Sequence, residues 1–335
     1  MLRKLLTVCG AFLSLTCHAQ VATGVSRGGS NFNWYTTSTC TSSNQAPLDH
    51  EPYGVIVNYN TQTAAIRNDL SSIRAAGQDK IRLMLFFGHG LGSGTVMDST
   101  GGVLSSQYMA NLNNLVADIK NYGFGEMEIS FSPQGPNDPN KWSSLDSAMA
   151  AENWGVINSV HQGLRNPGFN HIYFDLGNEM MTDSQSNARY RYMKYIWPKY
   201  FAAYGKLYDS VGFSFASGEV SAIGNMGAIY GHNSFPVMAD VHIYPYGGNT
   251  AGDILYAAAH NLSTIGPVAG QYRWVIGEAD FNNATDAASM AAQLNALAAH
   301  DSRPWYLMQW PIDPAKPDCT VGNVAPFNNY IAHGF

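Results

Sequence analysis

The stretch His171-Ile172-Tyr173-Phe174-Asp175-Leu176-Gly177-Asn178-Glu179 runs apolar and aromatic until it stops at a glutamate. The stretch Arg273-Trp274-Val275-Ile276-Gly277-Glu278-Ala279 does the same, its glutamate 99 positions further on. Short runs rich in β-branched and aromatic residues, bounded by turn formers, read as buried strands. Outward from these two, similar runs recur at Lys80 to Phe87, Glu126 to Phe131, Val211 to Ala216, Ala239 to Tyr244 and Trp305 to Trp310, with a first strand expected at Val21 to Arg27. Between them the apolar period switches to that of helices. Ile66, Leu70 and Ile73 end at Gly77, and Met109, Leu112, Val116 and Ile119 end at Gly123, where a helix terminus favours a left-handed residue. Further helices are expected over Ala148 to Leu164, Ala188 to Tyr204, Ile254 to Ile265 and around Met290, Leu294 and Leu297, with an irregular one near Val220 to Tyr230. Eight strands alternating with helices, with no linker or repeat, predict an α/β fold: a single-domain (β/α)8 TIM barrel.

Residues 1–19 read as an export leader. Arg3 and Lys4 precede the apolar stretch Leu5 to Leu15, and Cys17-His18-Ala19 resembles a cleavage site. That stretch is too short to span a bilayer, so no stable membrane insertion is expected, and the chain should be secreted or periplasmic. The catalytic domain is then 20–335. Losing Arg3 and Lys4 takes the net charge from −6 to −8. With no cluster of Lys and Arg to neutralise phosphates, nucleic acid is not an expected partner. Two cysteines remain, Cys40 and Cys319. In an exported chain they are expected to form one disulfide.

Active sites of such barrels lie at the C-terminal ends of the strands. Searching there returns Arg82, Asn178, Glu179, His242, Tyr244, Glu278 and Trp310. Two carboxylates converging from opposite sides of a barrel mouth are the apparatus of glycoside hydrolysis, one moving a proton and the other attacking carbon. A metal-dependent hydrolase would call for a His-x-His on the first strand, which Val25-Ser26-Arg27 does not offer, and no metal or cofactor is expected. A serine hydrolase would call for Gly-x-Ser-x-Gly after a strand, which is absent, since Gly24-Val25-Ser26-Arg27-Gly28 overlaps the expected first strand instead of following one. The rival class is a catalytically silent barrel that binds polysaccharide, for which the second glutamate would have no use.

Asn-Glu ending the fourth strand, Glu ending the seventh, Arg82 on the second, His242-Ile243-Tyr244 on the sixth and Trp310 on the eighth resemble clan A of the glycoside hydrolases. The closest resemblance is to its family 5, which includes cellulases and mannanases. The resemblance covers the whole mature chain in layout. It implies retention of configuration, with Glu179 as acid/base and Glu278 as nucleophile. Arg82 and Tyr244 would keep Glu278 ionised, Asn178 would donate to the sugar 2-hydroxyl, and Trp310 would floor the site. His242 would orient Glu179 or contact substrate. Strand three ends Ser130-Phe131-Ser132, without the histidine many family 5 members carry there, and His89 is the neighbouring candidate to replace it.

Trp34 and Trp142, in strand-to-helix loops, are further candidates for the cleft. Asn31, Asn33, Tyr35, Gln134, Asn137, Tyr246 and Asn249 offer it neutral hydrogen-bonding groups. Asp175 reads as a barrel-core carboxylate, and Glu128 and Glu219 as acidic decoys. The expected partner is a neutral β-linked polysaccharide or oligosaccharide. The expected action is endo, by a monomer, because no large insertion walls off one end of a cleft.

Overall fold

The computed structural model describes residues 28–35, 53–164, 171–231, 233–265, 272–298, 301–311 and 326–335. Eight strands line up in it: β1 Gly29–Asn31, β2 Lys80–Gly88, β3 Glu126–Pro133, β4 Ile172–Asp175, β5 Ser210–Gly212, β6 Ala239–Ile243, β7 Trp274–Ala279 and β8 Pro304–Gln309. Their spatial order is β5-β4-β3-β2-β1-β8-β7-β6, every pairing parallel. The last gap closes through a parallel bridge between Phe215 and Val241, with the His242 N–H donating to the Phe215 carbonyl at 2.8 Å. A two-residue strand, Met97–Asp98, adds to the end of β2.

The helices are α1 Val55–Ala75, α2 Ser106–Asn121, α3 Ser147–Leu164, α4 Ala188–Tyr204, α5 Met226–Tyr230, α6 Ala251–Ser263, α7 Ala284–Ala296 and α8 Asn328–Ala332. This is the expected (β/α)8 barrel. Gly77 and Gly123 sit at φ +88° and +81° beyond α1 and α2, as their helix-ending role requires. The irregular helix resolves into a 3₁₀ run, Ser217–Asn225, followed by α5.

The first strand is where the sequence misleads. Val21 to Arg27 lies outside the described residues, as do the leader, Cys40 and Cys319. The strand that closes the barrel is Gly29–Asn31, a segment the sequence pattern did not mark as a strand. A Cβ on Gly29 would fall 1.9 Å from the Lys80 carbonyl oxygen, so glycine lets β1 approach β2 this closely.

Strands buried on both faces read as continuous apolar runs. Ile81, Leu83, Leu85 and Phe87 of β2 belong to the main apolar core beneath the helices. Inside, the barrel holds a smaller apolar cluster of Val211, Met238, Val275, Tyr306 and Met308. It also holds a fully buried polar group: Arg82, Glu128, Asp175, Asp240 and His242.

A β-bulge sets the C-terminal end of β7. Asp240 pairs with Val275, whereas His242, two residues on, pairs with Glu278, three residues on. Val275 and Gly277 face inward, and a Cβ on Gly277 would lie 2.1 Å from Asp240 Oδ1. The extra residue turns Glu278 inward as well, where simple alternation would point it at the helices.

Candidate active site

Arg82, on β2, organises the mouth. Its Nη1 donates to Glu278 Oε1 at 2.7 Å and to Asn31 Oδ1 at 2.9 Å, and its Nε donates to Glu128 Oε1 at 2.7 Å. Its Nη2 donates to Asn178 Oδ1 at 2.8 Å and to Asp175 Oδ2 at 3.1 Å. Glu278 also accepts from the Tyr244 hydroxyl at 3.0 Å. With its Oδ1 held by Arg82, Asn178 keeps its Nδ2 for donation to a ligand.

Glu179 follows β4 in the left-handed region, at φ +52°. A non-glycine residue there costs about 1–2 kcal/mol and persists only when its surroundings impose it. They do so here. The Glu179 N–H donates to Ser214 Oγ at 2.8 Å, and its carbonyl accepts from Arg189 Nη1 at 3.2 Å. Arg189 is delivered by the first turn of α4, which Asn187 caps, and its Nη2 is bound to Glu219 at 2.8 Å. Asp175 ties β4 to β5, accepting from the Ser214 hydroxyl at 2.9 Å and the Ser214 N–H at 3.1 Å. The resulting turn presents the Glu179 carboxyl 40% exposed, 3.0 Å from His242 Nδ1.

Glu179, His242 and Glu278 bring one atom each within 4.8 Å of the others, as do Glu128, Asp175 and Asp240. That spacing would suit a metal ion, but in each group the protein supplies the positive centre. His242 stands against both glutamates, and the Arg82 guanidinium lies 2.7, 3.1 and 3.6 Å from the other three carboxyls.

The proton distribution is set by His242, which stands between the two glutamates. Burial pushes Glu179 up, but the hydrogen bond and charge of His242 carry its carboxyl below the usual value. Burial lifts Glu278 above the usual value despite His242 and Arg82. His242 is held well up, the charges of Glu278 and Asp240 overriding burial. In the free site the mobile proton therefore rests on His242, one hydrogen bond from Glu179.

A pH profile follows from these directions. If Glu278 is an attacking group, acid should inactivate by protonating it, so the acid limb of kcat/KM should lie above the ordinary glutamate value of roughly 4.3. Alkali removes the proton shared by His242 and Glu179, so that limb should lie above the ordinary histidine value of roughly 6.5. Both limbs belong to the coupled cluster rather than to single residues. An acid limb below that of free glutamate would contradict the geometry.

The other candidates fall elsewhere. Trp34 is 2% exposed, stacked on Phe86 and set edge-on to Trp310 at 5.6 Å, so it backs Trp310 instead of offering a face. Trp142 donates its Nε1 to the Pro136 carbonyl and packs edge-on to Tyr192, anchoring the loop after β3. His89 does not replace a strand-three histidine, since it binds Glu152 of α3 at 2.8 Å. Asn31, Asn33, Tyr35 and Asn137 are buried and engaged in the scaffold.

Beside Glu179 lies a cleft of about 500 Å³, lined among others by Gln134, Asp138, Asn140, Arg189, Glu219 and Tyr246. Arg189, Ser214 and Asp240 escaped the sequence search as site residues. None ends a strand beside a glutamate, and their partners are distant in sequence. Only Asp240, two positions before His242 on a strand, carried a local signal.

No protein-family model matches the chain, and no curated protein does. Solved structures do. GH5_18 from Streptomyces cattleya, in complex with GlcNAc, aligns at 10% identity and TM-score 0.55, over 93% of this chain and 80% of that one. GH5_18 from Bifidobacterium longum subsp. longum aligns at 13% identity and TM-score 0.54, over 92% and 78%. The GH5-4 broad-specificity endoglucanase from Clostridium longisporum aligns at 13% identity and TM-score 0.56, over 94% and 96%. At such identities the likeness is one of fold: this chain has the (β/α)8 barrel of GH5 enzymes.

Proposed function

We propose that the protein is an exported, retaining glycoside hydrolase acting on a β-linked saccharide chain. The observation that carries this reading is the pair Glu179 and Glu278, with oxygens within 4.8 Å of one another at the barrel mouth. Retaining enzymes hold their carboxyls about 5–5.5 Å apart, and inverting ones leave room for a water between them. The environments of the two divide the roles. Glu278 is buried against Arg82 and Tyr244, which suits a fixed nucleophile. Glu179 is exposed to the cleft and joined to a proton donor, which suits an acid and then a base.

In this reading a sugar ring lies over Glu278 against Trp310, and the leaving group occupies the cleft beside Glu179. As the saccharide displaces water from Glu179, separated charges become costlier. The proton then passes from His242 Nδ1 to the carboxylate and on to the glycosidic oxygen. Glu278 attacks the anomeric carbon, and Glu179 next takes a proton from water to release the product.

The test is a reducing-end screen across glucan, mannan, galactan and xylan, with NMR of the first-formed anomer. Release of the retained anomer from one of them is expected. Retention of a glycan on the protein without turnover would favour the binding-only barrel. We read the action as endo, because the cleft extends away from the catalytic pair along the loops after β3, β5 and β6. A viscosity drop outrunning reducing-end release would bear this out, and the reverse order would make it exo.

Glu179→Ala should lose about 10²–10⁴-fold on natural glycans. On aryl glycosides with good leaving groups, which depart without protonation, it should lose far less. Equal losses on both substrates would remove Glu179 from the acid role.

The substrate should be neutral. Asp138, Glu179 and Glu219 line the cleft against one cation, Arg189, which already binds Glu219. Uronates usually require free Arg or Lys forks. Initial rates on neutral glycans should exceed those on uronate-rich ones, and added salt should narrow the gap.

A further inference from the structure

Beneath the reacting groups the barrel holds too many carboxyls for its cations. Arg82 faces Glu128 and Glu278 at 2.7 Å, Asp175 at 3.1 Å and Asp240 at 3.6 Å, all nearly or wholly buried. A dry interior does not tolerate excess charge, and a carboxyl in that position takes up a proton.

Hydrogen bonding shows which one. Asp175 is saturated, accepting from the Ser130 and Ser214 hydroxyls and from the Gly177 and Ser214 N–H groups. Glu278 is held on both oxygens by Arg82 and Tyr244. By contrast, Glu128 Oε2 and both oxygens of Asp240 are buried and accept no hydrogen bond from an N–H or O–H among the described residues. These two side chains face each other, with oxygens within 4.8 Å. Ionised carboxylates only accept, so a single proton between the two pairs Glu128 Oε2 with one Asp240 oxygen, while Asp240 Oδ2 faces Arg82 and His242.

We propose that Glu128 is a neutral carboxylic acid donating to Asp240, and that this buried pair is the positioning element that keeps His242 charged against Glu179. Its last link rests on the glycosidase reading. The proton belongs to Glu128 because Asp240 Oδ2 already faces two cations, Arg82 Nη2 at 3.6 Å and His242 Nε2 at 3.5 Å. Burial and the charges of Asp240 and Asp175 push Glu128 well up against Arg82, while His242 and Arg82 hold Asp240 low against burial. The groups facing His242 and the pair are Arg82 from β2, Asp175 and Glu179 from β4 and the turn after it, Tyr244 after β6, Glu278 from β7 and Tyr306 from β8. Of the carboxyls, only Asp240 approaches Nε2 of His242. Gly277 leaves the room that Asp240 fills.

Three measurements on the whole protein test this. Infrared difference spectra of wild type minus Glu128→Gln should show the C=O band of a neutral carboxylic acid at neutral pH, with no substrate present. Nitrogen NMR of His242 should give the same high titration point in wild type and Glu128→Gln, because the amide still donates to Asp240. In Asp240→Asn that point should fall by roughly one pH unit or more, because an adjacent anion is gone. The alkaline limb of activity should follow His242 in each variant.

Absence of the band, or a Glu128→Gln shift as large as that of Asp240→Asn, would overturn the proposal. So would failure of Glu128→Gln to fold, since it keeps both shape and donor. If the band and the His242 shifts appear but wild type cleaves no glycan, the pair stands and the glycosidase reading falls.

Discussion

Glu278→Ala is expected to slow cleavage of the natural glycan by at least about 10³-fold while leaving its binding nearly intact. The variant removes the oxygen proposed to attack and keeps Trp310, Asn178 and the cleft in place. It also frees Arg82 Nη1 and the Tyr244 hydroxyl, which bind the carboxylate at 2.7 and 3.0 Å. Those two donors then face a small cavity suited to an anion. Azide added to the variant should enter it, attack the anomeric carbon from the nucleophile's side and restore turnover with an inverted glycosyl azide as product. Turnover at the wild-type rate without azide would strike Glu278 from the mechanism. Loss without rescue would leave a structural role as the better reading.

The second large effect is on stability. Arg82→Met should cost about 3–5 kcal/mol, because removing one partner of a buried ion network leaves the others uncompensated. Here the uncompensated set is Asp175, Asp240 and Glu278, inside a barrel with little water to replace the guanidinium. The pH dependence supplies a specific signature. Without the cation these carboxyls bind protons more tightly folded than unfolded, so the variant's stability is greatest in acid and is lost as pH rises through the raised values. Urea unfolding at about pH 5 and about pH 8 should show the deficit growing with pH. A deficit independent of pH would mean that Arg82 matters for its volume rather than its charge.

The sequence made the alternation of elements legible because six of the strands are long enough, and apolar enough, to stand out from their turns, and the short β5 runs on into Phe213 and Phe215. It did not reveal Gly29–Asn31. Gly-Ser-Asn has no strand propensity, and the segment is a strand because β2 and β8 flank it and Arg82 claims the Asn31 side chain. At the site, the strand-end search found the residues that face the mouth. It missed those one layer down, Asp240 among them, and Asp175 and Glu128 registered only as carboxylates in the core or off the site. An inward acid on a strand looks like any other acid until the barrel closes. The aromatic candidates failed for a related reason: Trp34 and Trp142 lie in the right loops, but nothing local says which way a loop tryptophan turns.

The extra residue in β7 uncouples two parts of the molecule that strand alternation would otherwise lock together. Below the bulge, Val275 takes its facing from the packing of Tyr306 and Met308. Above it, Glu278 takes its facing from His242. The floor of the barrel can therefore be repacked for stability without rotating Glu278. Deleting Gly277 would remove the bulge and place Glu278 two positions after Val275, where plain alternation by itself keeps the carboxylate facing inward.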